Sequence, residues 1–307
     1  MENKFRGVYV ILVIPFYEDG SIDEESLRSV VDFSIDAGAH GVVVPANVSE
    51  FFALSDEERL LVSRIVCEQT NGRIPVVLVA NGVSAHAAVE LTKAMNGLGA
   101  NGIMAMAPPI KPLHSEGIYR YFEAIGAATE VPVIVQNPIF VGSPMSPEFM
   151  VRLINEIEHI HYIKEESLSC THVVSKLFEI VQRKEKLHGI FGGLAGRHLM
   201  NEMARGVCGT MPACDIPDVH AAIWNTYERG ETDEARRLFD RLLPLLNMQS
   251  LYPLQLYKEV LRRRGVIRSA TIRNYFQTPM DTIDHRELDV ILSAIEDLII
   301  VEGKFKD

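Results

Sequence analysis

The chain has 307 residues, of which 47% are hydrophobic and 23% charged, and its formal net charge is −11. This composition is typical of a globular protein and excludes a disordered, collagen-like or disulfide-framework chain. The acidic balance argues against nucleic acid as a partner but leaves a small anionic substrate open. No apolar window is long enough to predict a membrane span. The four cysteines have no paired spacing, which favours a reduced, cytoplasmic protein.

Eight short apolar runs alternate with longer amphipathic segments up to residue 228. Continuous apolar runs of this length are typical of strands that are buried on both faces, as in a parallel sheet. The runs are 8–15, 41–45, 74–80, 102–107, 131–136, 159–164, 188–191 and 207–211.

Helix-start signals stand between these runs, such as Ser55 followed three residues later by Glu58, and Pro147 in a first turn. Eight strand–helix units predict a (β/α)8 barrel, a TIM barrel of the α/β class, over residues 1–228. A doubly wound sheet is the competing architecture. Beyond the barrel the pattern predicts helices only, at 233–246, 251–264 and 285–298. Residues 229–307 are therefore expected to form a C-terminal helical region packed on the barrel.

Lys164 stands at the end of the sixth predicted strand, and reactive residues of such barrels lie at the C-terminal ends of strands. Because strand residues alternate faces, Lys164 and Glu166 are expected to share one face and Glu165 to take the other. A lysine inside a barrel is costly unless it is paired or deprotonated, and a deprotonated lysine can form a Schiff base. The alternative is a structural lysine paired with Glu165 or Glu166 at the rim.

Two strand-to-helix turns are candidates for binding an anion. Asn47, Val48 and Ser49 offer short polar side chains and consecutive backbone N–H groups that can hold a carboxylate, although a plain turn has the same composition. The glycine-rich turn 192–197, which contains Gly193, is a weaker candidate because its spacing fits no nucleotide motif. Cys214 follows the eighth strand and is a further candidate contact. The histidines have no spacing typical of a metal site.

Several segments of the chain occur in a familiar order. The first strand and its turn, Ser49 and Glu50 followed by 54–59, the helix start at 115–122, and Tyr162-Ile163-Lys164 together resemble the dihydrodipicolinate synthase / N-acetylneuraminate lyase family of class I aldolases. The resemblance extends from residue 7 to about residue 298. It implies a (β/α)8 barrel with a C-terminal helical region, a homotetramer and no metal. It also implies no cofactor beyond a covalent Schiff base that Lys164 forms with pyruvate or a related 2-keto acid.

The chain departs from this family's pattern at its proton relay. The first threonine after strand two is Asn47 here, the strand-five tyrosine is Gln136, and the relay tyrosine after strand four falls at about Ile110. The arginine that grips the second substrate of dihydrodipicolinate synthases has no counterpart in 139–142. Because the lysine is retained and the relay is lost, the chain is more similar to the 2-keto-3-deoxy sugar acid dehydratase branch.

The sequence therefore predicts a lyase that dehydrates a 2-keto-3-deoxy sugar acid through an enamine on Lys164. Gln136 cannot titrate, so it can position a water or a hydroxyl, while Ser49, a water or Glu166 assists as base. The expected catalytic residues are Lys164, Gln136 and Ser49, and the expected substrate contacts are Asn47, Val48, Ser49, Glu166, Gly193 and Cys214.

Three alternatives stay open at this point. Two are enzymes, namely an aldolase that releases pyruvate from a 2-keto-3-deoxy acid and a divergent 4-hydroxy-tetrahydrodipicolinate synthase. The third is a barrel that binds a 2-keto acid and regulates another process without turnover. Analysis of the products separates the two enzymes from the dehydratase.

Overall fold

Eight parallel strands close into a barrel in the computed structural model, which describes residues 5–110, 114–139, 144–273 and 278–305. The strands follow one another around the ring in chain order, and β1 pairs with β8 through Gly7–Gly209 and Val8–Thr210. The (β/α)8 prediction is confirmed, and the doubly wound sheet is excluded. The strands are β1 (Gly7–Ile11), β2 (Gly41–Val44), β3 (Val76–Val79), β4 (Gly102–Met106), β5 (Val133–Pro138), β6 (Ile160–Glu166), β7 (Gly189–Gly192) and β8 (Gly209–Thr210).

A helix follows each strand on the outside of the barrel. Ser55 and Glu58 form the expected capping box, since the Ser55 hydroxyl accepts from the Glu58 N–H while the Glu58 carboxylate accepts from the Ser55 N–H. The helices are α1 (Glu24–Asp36), α2 (Asp56–Thr70), α3 (Ala85–Gly97), α4 (Ser115–Gly126), α5 (Pro147–Glu156), α6 (Cys170–Ile180), α7 (Leu199–Met203) and α8 (Pro217–Glu228).

Three further helices follow the barrel, as the sequence predicts: α9 (Thr232–Gln249), α10 (Pro253–Arg263) and α11 (Thr282–Ser293). They are tied to the barrel by buried contacts such as the ion pair between Arg264 and Asp218, whose nitrogen and oxygen lie 2.6 Å apart. The division of the chain at residue 228 stays a prediction. Over the described ranges, none of the helices combines the length and the apolar character needed to cross a bilayer.

The alternation of side chains along the strands produces two apolar layers. Residues of one parity, including Val43, Val77, Met104 and Ile134, fill the barrel interior. Residues of the other parity pack against the helices in a larger outer cluster. The strands are thus buried on both faces, which explains why their sequences are continuous apolar runs rather than alternating ones.

Four aromatic rings form a floor near the N-terminal end of the barrel interior. The rings of Phe5 and Tyr162 are 5.2 Å apart, as are those of Tyr9 and Phe191, and the Tyr162 hydroxyl accepts a 2.9 Å hydrogen bond from the Phe5 N–H. Lys164 is two residues beyond Tyr162 on the same face, or about 6.6 Å further along β6. The lysine therefore lies above the floor, on the side of the C-terminal mouth.

Candidate active site

Lys164, Glu166 and Gln136 meet inside the C-terminal end of the barrel. The Lys164 Nζ lies 3.0 Å from Glu166 Oε1, and the side chains are only 2% and 9% exposed. Gln136, the register partner of Lys164 on β5, donates from Nε2 to Glu166 Oε2 over 2.6 Å. The Leu194 N–H donates to Glu166 Oε1 over 3.2 Å. The carboxylate is therefore fixed by three donors, one of which is the amine of the candidate nucleophile.

Glu165 points away from this cluster, as strand alternation predicts. Its two carboxylate oxygens accept from Asn137 Nδ2 over 2.8 Å and from the Ser167 N–H over 2.7 Å. Burial raises the pKa of Glu165 above its usual value. Of the two glutamates that follow Lys164, only Glu166 contacts the amine. The side chains of Lys164 and Glu166 therefore form a buried pair, and Glu165 packs in the wall behind them.

Gly192 and Gly193 leave room for two carboxylates on opposite faces of β7. A methyl group at Gly193 would collide with the Glu166 side chain, and one at Gly192 would collide with the Glu202 carboxylate. The anion that the glycine-rich turn holds is therefore the protein's own Glu166, which also uses the Leu194 N–H. Gly193 therefore makes space for the Glu166 side chain, and the expected contact between Gly193 and the substrate stays a prediction.

Glu202 is a buried acid that the sequence did not single out. It lies on α7, is 1% exposed, and its Oε2 has no hydrogen-bond partner among the described residues. Burial, and to a lesser extent the charge of Glu166, raises the pKa of Glu202 to about 8, while a hydrogen bond with Cys170 opposes the shift. The only sequence signal is its position between Leu199 and Met203, on a helix with a mostly apolar pattern. The raised pKa favours the protonated form of this side chain at neutral pH.

The turn after β2 is held by the hydroxyl of Ser49. This hydroxyl donates to the Leu12 carbonyl over 2.6 Å and accepts from the Ala46 N–H over 3.0 Å, and the residue is fully buried. The single proton of Ser49 is donated to the Leu12 carbonyl, so this hydroxyl shapes the turn, and its expected catalytic role stays a prediction. Asn47 and Val48 are half-buried and begin a 3₁₀ turn, where the first N–H groups lack partners within the turn.

Cys214 lies behind the barrel wall. It is fully buried in the outer apolar cluster, and its sulfur accepts a 3.4 Å hydrogen bond from the Val13 N–H. Burial raises the pKa of the Cys214 thiol to about 12. These observations correct the expectation that Cys214 contacts the substrate, because a side chain in the outer cluster does not line the barrel interior.

Two other positions named from the sequence are only partly described. Ile110 is 52% exposed at the surface, and of the stretch 139–142 only Ile139 lies within the described residues. Across the described ranges, histidine, cysteine and acidic side chains form no group of three that could hold a metal ion.

The chain matches the Dihydrodipicolinate synthetase family over residues 4–296. The L-2-keto-3-deoxyarabonate dehydratase of Azospirillum brasilense is 28% identical over 275 residues, which cover 88% of each chain. The 4-hydroxy-tetrahydrodipicolinate synthase of Pelobacter propionicus is 35% identical over 246 residues, covering 79% of this chain and 82% of that protein. The solved dihydrodipicolinate synthase of Rhodopseudomonas palustris superposes with a TM-score of 0.87 at 26% identity, covering 95% and 98% of the two chains. The chain therefore belongs to the dihydrodipicolinate synthetase family and is a lyase.

Proposed function

We propose that this lyase dehydrates a 2-keto-3-deoxy sugar acid through a Schiff base on Lys164. The observation that carries the proposal is the buried Lys164 amine, which lies 3.0 Å from Oε1 of Glu166. Gln136 donates a hydrogen bond to the other oxygen of that carboxylate. The name of the Azospirillum relative, which matches 88% of this chain, supports the same reaction class. As the chain is a lyase, the alternative of a barrel without turnover is set aside.

Schiff-base formation uses the pair of Lys164 and Glu166. Glu166 accepts a proton from the ammonium group, and the free amine attacks the C2 carbonyl carbon of the 2-keto acid. The nitrogen passes a second proton to the former carbonyl oxygen, and Glu166 returns the first. That oxygen then leaves as water, and a protonated C=N bond remains on Lys164. In this proposal the substrate carboxylate binds the N–H groups of Asn47 and Val48, at the start of the turn after β2.

Elimination follows from the same pair of residues. The iminium nitrogen acidifies the C3 proton, which Glu166 removes to leave an enamine. The enamine electrons form a C3=C4 double bond as the C4–O bond breaks, and the departing hydroxyl takes the proton from Glu166 to become water. Hydrolysis then releases the unsaturated 2-keto acid and restores Lys164. One C3 proton and one C4 hydroxyl are lost, which balances as one water.

The fixed groups favour elimination over aldol cleavage. Cleavage of the C3–C4 bond needs a base that removes the proton of the C4 hydroxyl. Gln136 does not titrate and donates to Glu166, while the Ser49 proton is committed to the Leu12 carbonyl. Neither side chain can serve as that base. Glu166 is then the base for either proton, and we propose that it removes the C3 proton, which the iminium nitrogen acidifies.

Trapping with borohydride tests the Schiff base. Wild-type protein incubated with pyruvate and borohydride is expected to gain a stable mass on Lys164, which peptide mass spectrometry locates. Lys164→Ala removes the adduct, whereas Lys176→Ala, which changes an exposed lysine of α6, keeps it. An unlabelled wild-type protein would refute Schiff-base chemistry.

Product analysis tests the reaction. Incubation with a set of 2-keto-3-deoxypentonates is expected to give unsaturated or rearranged 2-keto acids without pyruvate. Pyruvate together with an aldehyde would refute the dehydratase and support the aldolase. If the protein condenses pyruvate with aspartate semialdehyde and does not dehydrate any of the 2-keto-3-deoxypentonates, the result would support a divergent synthase.

We also propose a cytoplasmic homotetramer. All four cysteines are free thiols, which suits a reducing compartment. Light scattering on the eluted protein is expected to give about four times the chain mass of 34.3 kDa. A mass of one chain would refute the tetramer.

A further inference from the structure

A second buried lysine lies next to the turn that follows β2. Lys258 of α10 donates from Nζ to Glu50 Oε1 over 2.5 Å, and both side chains are fully buried. The same Nζ donates to the Thr271 carbonyl over 2.8 Å and lies 4.2 Å from the centre of the Phe16 ring. Two opposite charges without access to water are stable only when each has several partners, and breaking one side of such a pair is strongly destabilising.

Glu50 ends the turn that contains Asn47 and Val48. Its φ is 53°, in the left-handed region, and its N–H donates to the Asn47 carbonyl over 2.9 Å. A residue with a Cβ in that region costs on the order of 1 kcal/mol, so surrounding contacts must hold it there. The carboxylate supplies those contacts, because Oε1 accepts from Lys258 and Oε2 accepts from the Arg273 N–H over 2.8 Å.

Arg273 holds the far side of the same connection. Its guanidinium donates to the Ala53 carbonyl over 3.0 Å and to both oxygens of Glu58, at the start of α2, over 2.7 and 2.8 Å. It also donates to the Gly20 carbonyl over 2.7 Å. The loop between β2 and α2 is therefore bound at Glu50 and at its end by residues more than 200 positions later in the chain.

We propose that Lys258 and Arg273 are positioning residues that fix, through Glu50, the backbone N–H groups that bind the substrate carboxylate. The inference rests on the proposed function, in which the turn of Asn47 and Val48 receives that carboxylate. Binding groups act well only when held to about 0.5 Å. Loosening the turn therefore weakens carboxylate binding but leaves the Lys164–Glu166 pair, on the opposite side of the ring, in place.

The test uses a double variant, Glu50→Gln with Lys258→Met, which removes both charges and leaves no buried charge unpaired. The probe is pyruvate, trapped on Lys164 by borohydride. We expect the half-saturating pyruvate concentration to rise about tenfold, while the trapped fraction at saturation changes less than about threefold. For methyl pyruvate, which lacks the carboxylate charge, the double variant is expected to have the same half-saturating concentration as the wild type.

The matched control is the double variant Glu259→Gln with Arg263→Met. This ion pair, 2.8 Å long, starts one residue further along α10 and faces α11 rather than the turn. Its half-saturation for pyruvate is expected to equal that of the wild type. A general weakening of the C-terminal helices would affect both double variants, whereas loss of positioning affects only the first.

Several results would overturn the inference. A folded Glu50/Lys258 double variant whose half-saturating pyruvate concentration stays within twofold of wild type does so. A variant whose half-saturating concentrations of pyruvate and methyl pyruvate rise by the same factor also does so. If that variant has no cooperative melting transition, Arg273→Gln decides, since its side chain is 19% exposed and its loss is expected to raise half-saturation about threefold. An unchanged value then overturns the inference. Absence of a pyruvate adduct on the wild type refutes the proposed function itself, before any variant is compared.

Discussion

Glu202 is expected to contribute to the pH dependence of the protein's free energy of unfolding. Its pKa is raised from 4.5 to about 8, chiefly by burial, so between these values the folded protein holds a proton that the unfolded chain has released. The resulting stability is fully present below pH 4.5 and is lost as the pH rises through 8. At pH 6, two pH units below the folded-state pKa, it amounts to ~3 kcal/mol, since each tenfold difference in proton affinity is worth about 1.4 kcal/mol.

Glu202→Gln removes this dependence, because an amide does not titrate. Between pH 6 and pH 9 the free energy of unfolding of the variant is expected to rise by ~3 kcal/mol relative to wild type. A chain of 307 residues unfolds with an entropy of about 0.6 kcal/mol per kelvin. The difference in melting temperature between variant and wild type is therefore expected to move by about 4–5 °C in favour of the variant.

The assay is thermal unfolding followed by circular dichroism at pH 6, 7, 8 and 9. The difference between the two proteins is the readout, because burial also raises the pKa of Asp215, to about 7, and that group shapes the curves of both. Glu179→Gln, at an exposed position of α6, is the control and is expected to give a constant difference. A constant difference for Glu202→Gln as well would refute the reasoning that this acid is protonated in the folded state.

Three further outcomes follow from the site. Gly193→Ala is expected to displace Glu166 from Lys164 and to lower kcat more than about tenfold in steady-state assays, and an unchanged kcat would contradict the packing of Glu166 against Gly193. Gln136→Leu removes the 2.6 Å bond to Glu166 and is expected to lower kcat about tenfold with little change in KM, whereas a pure KM effect would place Gln136 in binding alone. Cys214 is expected to react with iodoacetamide only after unfolding, as counted by mass spectrometry, and labelling of the native protein would show that its thiol is accessible.

The barrel and the contact between Lys164 and Glu166 could be predicted because both depend on local patterns. The apolar runs 41–45 and 102–107 correspond to β2 and β4 within one residue, since strands buried on both faces need continuous apolar sequence. Strand alternation alone placed Lys164 and Glu166 on one face. The predicted strand boundaries were less accurate where few hydrogen bonds to neighbouring strands define the strand. The run 207–211 became the two-residue β8, whose pairing with each neighbour involves only Gly209 and Thr210.

The rest of the site depends on contacts between distant segments. A glutamate or lysine on a helix is ordinarily a surface residue, and only the position of α7 behind Gly192 buries Glu202. Lys258 meets Glu50 across 208 residues, a separation that no local pattern records. The glycine-rich turn was only a weak candidate for binding an anion, and in the structure its Leu194 N–H donates to the chain's own Glu166.

The aromatic floor of Phe5, Tyr9, Tyr162 and Phe191 leaves the C-terminal end of the barrel as the expected entrance to its interior. Because these rings pack together on the N-terminal side of Lys164, we expect a molecule to reach the amine from the C-terminal mouth and to leave by the same route. Product must therefore depart before the next substrate enters. A product that accumulates therefore competes with the next substrate for the same path.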